Sequence, residues 1–159
     1  MKPLLSFNVE EEIGEVISVD TGMAIANVIS DEILSKLQVN QLLAIKSPHS
    51  GRHIIGMIIK IFRKAALESL GMEDDEDMPL SNLNKIRVVF IGEFIDNDGT
   101  KQNVFKRNVS AVPSINAGCY KLEGDILSSL MKSISSNSIN ITHPLKLGTY
   151  AMDDMSEAY

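Results

Sequence analysis

A mainly β fold, a small closed β-barrel with short peripheral helices, is predicted by three observations. The stretch from Gly14 to Phe62 sets four apolar, β-branched segments between turn signals. A further strand signal, IRVVFIGEFI over residues 86–95, follows a polar interruption. A hydrophobic content of 44% over 159 residues is enough to fill one core.

The elements follow in order. Glu15 to Val19 carries strand formers and runs into Asp20-Thr21-Gly22, a turn with glycine available for positive φ, before Met23 to Ile29 resumes the apolar run. That pair is a hairpin. Ser30 or Asp31 caps a short helix through DEILSKLQV, in which Ile33, Leu34 and Leu37 share a face and Asp31 and Glu32 lie at the favourable N-terminal end. Gln41 to Ser47 reads as a third strand, Pro48 to Gly51 as its turn, and His53 to Phe62 as a fourth, whose Gly56 marks a bulge of the kind barrels use to close. RKAALESL, residues 63–70, suits a helix ending at Gly71. Residues 71–84 are acidic, contain Pro79 and lack apolar periodicity, and read as an insertion. After the strand at 86–95, Asp96 to Gly99 turns into a more polar return strand near Asn103 to Lys106. A short strand at Tyr120 to Leu122, a helix over Gly124 to Ile134 and the connector SISSNSIN come next, with a strand near Lys146 to Ala151. Residues 1–135 thus read as the barrel domain, with the insertion at 71–84, and residues 136–159 as a connector toward a further domain.

Charge and cysteine usage exclude several classes. A net charge of −6 and a pI near 5.0 argue against a surface built to neutralise phosphates. Single Cys119 cannot form an internal disulfide or a multi-cysteine zinc site, and a free thiol fits a reducing compartment, the cytoplasm in the simplest case. The N-terminus has no long apolar run of a signal peptide or membrane span.

The catalytic inventory is thin. His49, His53 and His143 lie on separate segments without metal-ligand spacing. Glu73, Asp74, Asp75, Glu76 and Asp77 are consecutive carboxylates, the pattern of a solvated linker rather than of a calcium loop. Cys119 has no histidine near it in sequence and reads as a buried or incidental thiol. No GxSxG and no GxxxxGK[ST] occurs, so no catalytic, cofactor or metal residue is assigned. The basic pairs Arg63-Lys64 and Lys106-Arg107 are short, and aromatics make up only 5%.

The order of elements resembles the N-terminal barrel of HerA-type hexameric ATPases, a module similar in architecture to the N-terminal barrels of rotary ATP synthase subunits. The resemblance rests on GEVISVD in the first hairpin, HIIGMIIKIF as the strand returning toward a glycine, IRVVFIGEF after an insertion, and FKRNVSAVPSINAGCYKL before a short strand. The tail LKLGTYAMDDMSEAY is similar to the segment leading into the family's Walker-type core. The acidic run at 73–77 has no counterpart in the family pattern.

The resemblance implies an assembly and partner-docking domain in a hexameric DNA translocase that works with a nuclease or other effector, in DNA-end processing or antiphage defence. ATP and magnesium belong to the parent protein's motor core, as does DNA; no membrane partner is implied. The turns holding Thr21, Pro48, His49, Arg52, Asp96 and Asp98 are the expected partner interface. The alternative is a stand-alone small-barrel module that binds a peptide or nucleic acid.

Overall fold

The computed structural model of the chain describes residues 5–64, 83–97, 103–136, 148–150 and 153–158. Its strands are β1 (Glu12–Asp20), β2 (Met23–Val28), β3 (Leu42–Lys46), β4 (Arg52–Lys64), β5 (Leu83–Ile95), β6 (Val104–Lys106), β7 (Gly118–Lys121), β8 (Gly148–Tyr150) and β9 (Asp153–Ala158). The α-helices are α1 (Asp31–Lys36) and α2 (Gly124–Ser136), and a single 3-10 turn, Val9–Glu11, precedes β1.

Six strands close an antiparallel barrel in the order β1–β7–β3–β4–β5–β2, with β2 returning to β1. The mainly β, closed-barrel fold class is the observed one. The four strands between Gly14 and Phe62 do not close on themselves. β5 bridges β4 to β2, and β7 bridges β3 to β1, so closure needs partners from far along the chain. β6 extends one edge of β5 at Glu93–Ile95, beyond the point where β2 ends. β8 and β9 form a separate two-stranded ribbon.

The apolar residues separate by strand alternation into two clusters. Val16, Ala24, Ala26, Val28, Leu43, Ile45, Ile54, Ile58, Ile86, Val88 and Cys119 point into the barrel. Leu42, Ala44, Ile55 and Phe94 point outward and meet Leu122 and the α2 stripe of Leu127 and Leu130. Buried on both faces, β3 must read as the continuous run Leu42-Leu43-Ala44-Ile45 rather than as an alternation.

Local rules hold where they are local. Ser30 caps α1, its Oγ accepting from the Ile33 N–H at 3.2 Å. Gly56 lies at a register shift between β4 and β5. Other boundaries differ from expectation. Arg63 and Lys64 continue β4 opposite Asn84 and Leu83 instead of starting a helix, because pairing with β5 outweighs the helical propensity of two residues. For the same reason Leu83 and Asn84 belong to β5 rather than to the insertion. Ser133 to Ser136 extend α2 instead of opening a connector. The rest of the expected 63–70 helix and of the insertion lies outside the described residues. No described helix is long and apolar enough to cross a membrane.

Candidate functional site

One end of the barrel holds a buried carboxylate. Along β3 the inward face runs Leu43, Ile45 and then Ser47; along β4 it runs Ile58, Gly56, Ile54 and then Arg52. On β5 the residue opposite Ile54 is Glu93, so this carboxylate also faces the barrel axis. It is 1% exposed. Ser110, from the segment after β6, donates to Glu93 Oε2 at 2.8 Å, and Arg52 Nη1 lies 3.6 Å from the same oxygen. Arg52 also donates to Ser110 Oγ at 3.3 Å, completing a three-residue tie across the barrel mouth. Glu93 Oε1 is buried without a hydrogen-bond partner, so the tie leaves part of the carboxylate's hydrogen-bonding capacity unused.

The β3–β4 turn stands over this tie. Gly51 takes φ +71°, a conformation that favours glycine, and its carbonyl accepts from Asp96 N–H at 2.9 Å. The His49 N–H donates to Ser47 Oγ at 3.3 Å. An open pocket of about 320 Å³ is lined by Lys46 through His53. Asp96 Oδ2 in turn accepts from the Leu5 N–H at 3.3 Å, which draws the N-terminal segment to the same end.

On the barrel's outer face, His53 meets the Phe7 ring edge-on at 5.5 Å, and Phe7 stacks on Tyr120 at 4.6 Å. Burial holds the His53 pKa below its ordinary value; Asp96 acts in the opposite sense and Lys46 in the same sense. Tyr120, whose hydroxyl donates to Glu12 Oε2 at 3.3 Å, has its pKa raised, by burial first and then by Glu12.

The expected interface residues divide accordingly. Pro48, His49, Arg52 and Asp96 come together at this end. Thr21 sits apart in the β1–β2 turn, where its N–H donates to Asp20 Oδ1 at 2.6 Å. That turn meets β5 at Phe90, through Gly22, whereas the β3–β4 turn meets β5 at Asp96; the separation is roughly 20 Å of strand. Asp98, His143 and Glu73–Asp77 lie outside the described residues. Cys119 is fully buried in the barrel, and burial, with Glu12 and Glu15 adding to it, pushes its pKa up to about 12. It is a core thiol. Arg63 is engaged by Asp31 at 3.5 Å. Among the described residues no group of three His, Cys, Asp or Glu is arranged to hold a metal.

Sequence reasoning passed over Glu93, Ser47 and Ser110. Glu93 had a signal, a lone acid inside the apolar run IRVVFIGEFI; Ser110 had none, because its role depends on a contact between distant segments.

No protein-family model matches the chain, and no curated protein matches it.

Proposed function

We propose that the chain is the assembly and partner-docking barrel of a HerA-type ring-forming DNA translocase, acting with a nuclease or another effector in DNA-end processing or antiphage defence. The observation that carries this reading is the closed six-stranded barrel whose interior is filled by Val16, Ala26, Leu43, Ile45, Ile54, Ile58, Ile86 and Val88, all fully buried. A filled barrel leaves its rims and outer faces for function. Support comes also from the order of GEVISVD, HIIGMIIKIF and IRVVFIGEF along the chain. The Arg52–Glu93–Ser110 tie and the Gly51–Asp96 bond tether the β3–β4 turn, and a preorganised loop loses little entropy on docking. Six copies in a ring would present that loop six times and strengthen weak contacts through effective concentration. ATP and magnesium would act in the parent's motor core, away from this barrel.

Native mass spectrometry of the protein expressed from its own locus, with ATP turnover measured in the presence of duplex DNA, tests the reading. A ring-sized assembly with DNA-stimulated ATP hydrolysis is the expected outcome. A monomer that hydrolyses no ATP contradicts it.

A further inference from the structure

The outward face of the β4–β5–β2 ribbon carries a separate set of charges. Ile86 and Val88 point into the core, which sends Lys85 and Arg87 outward. Strand register puts Ile25, Arg87 and Lys60 in one cross-strand row and sets Lys85 opposite Phe62. Lys60 Nζ lies 4.8 Å from the Phe62 ring centroid, and the Arg87 guanidinium carbon 5.7 Å. The ring's negative face attracts both cations. Lys60 and Arg87 are nonetheless like charges directly opposite one another, an arrangement that opposes folding. Among the described residues no carboxylate pairs with Lys60, Lys85 or Arg87. Arg87 Nε is buried without an acceptor. Among the described residues, two cations over one ring, with Lys85 opposite it in register, are a cost that a bound carboxylate would offset.

We propose that this face docks an acidic peptide segment of a partner protein, its carboxylates pairing with Lys60, Lys85 and Arg87 while apolar side chains rest on Phe62 and Ile25. Charge complementarity selects an anion. The half-exposed Ile25 and Phe62 beside the cations favour a peptide with apolar residues. A single ring already engaged by two cations offers no succession of stacking platforms for the bases of a nucleic acid. The chain's acidity does not stand against this: residues 65–82 hold six of the 21 acidic side chains and none of the 15 basic ones, so the remainder is neutral overall. The inference is independent of the translocase reading.

Fluorescence anisotropy of a labelled peptide rich in Asp, Glu, Leu and Met tests it, with the full chain and with a full chain in which Glu73, Asp74, Asp75, Glu76 and Asp77 are changed to Gln or Asn to remove the chain's own competing acids. Binding in either form is expected at low salt, weakened roughly tenfold by Lys60→Gln, Lys85→Gln and Arg87→Gln together. It should weaken further when the Debye length is shortened to about 5 Å by added salt. Phe62→Leu should weaken it about two- to fivefold. Lys36→Gln with Lys121→Gln, which removes cations already paired to Glu32 and Glu123, should leave it unchanged. Thermal melts of each variant distinguish lost binding from lost folding. Absence of binding in both forms, or equal weakening by the Lys36 and Lys121 changes, overturns the proposal. Tighter binding of a thymidine oligonucleotide through the same three cations overturns it in favour of nucleic acid.

Discussion

Gly56 is a position where closure of the barrel is sensitive to a single methyl group. It lies on the inward face of β4 at the β4–β5 register shift, and a Cβ built on it collides with Val88 Cγ1 and comes within 3.2 Å of the Val89 carbonyl oxygen. Val88 is fully buried and cannot turn away into solvent. Overpacking of a filled core costs about 1–3 kcal/mol, while replacing glycine in a strand returns about 0.5–1 kcal/mol of backbone entropy. Gly56→Ala should therefore destabilise by roughly 1–2 kcal/mol, about 3–6 °C in Tm for a chain of this size. Val88→Ala alone should cost roughly 1.5–3 kcal/mol through lost burial and a cavity. The two changes relieve each other, so the double variant should be more stable than the sum of single costs by about 1 kcal/mol. Urea unfolding followed by circular dichroism reads all three, provided the m-value is unchanged. A neutral Gly56→Ala, or strictly additive costs, would refute the contact as the reason for glycine at this position.

Other outcomes follow from the site. Arg52→Met leaves the buried Glu93 carboxylate with Ser110 as its remaining partner among the described residues; since the Arg52 side chain is 36% exposed, the cost is about 1–3 kcal/mol rather than that of a fully buried pair, and Glu93→Leu added to it should recover part of the urea midpoint. His53, its folded pKa lowered by burial, takes up its proton first in the unfolded chain as pH falls through 6.5; its contribution to stability is thus present above that pH and lost below it. His53→Gln should flatten the rise in stability between about pH 5 and pH 7.5, and an unchanged slope in urea titrations would refute the assignment. Cys119, fully buried and with its pKa pushed up to about 12, should stay unreactive toward an aromatic disulfide reagent near pH 8 until urea unfolds the chain; rapid labelling of the native protein would contradict its place in the barrel.

The parts of the fold set by neighbours in sequence were legible. The Asp20-Thr21-Gly22 turn, the Ser30 cap and the bulge at Gly56 are each present, although Gly22 does not take the positive φ that glycine permits. The Pro48–Gly51 turn likewise marked the tip that forms the pocket. Closure was not legible in detail, because the β2–β5 and β1–β7–β3 pairings join segments with no local signal naming their partners. The same limit hid the site. Pro48, His49 and Arg52 announce an exposed turn, but the Arg52–Glu93–Ser110 tie depends on three segments meeting at one barrel mouth. Thr21, chosen by the same exposure argument, belongs to another turn roughly 20 Å of strand away. The Lys60–Phe62–Arg87 cluster escaped notice because Lys60 and Arg87 become neighbours only through the β4–β5 register.

The sequence of the native reading frame past Tyr159 tests the translocase account most directly. The account predicts a phosphate-cradling GxxxxGK[ST] motif within a few tens of residues, in the same frame. A stop codon at that point would contradict it and leave a free-standing barrel whose ligand must be sought on the β3–β4 turn and the Lys60–Arg87 face.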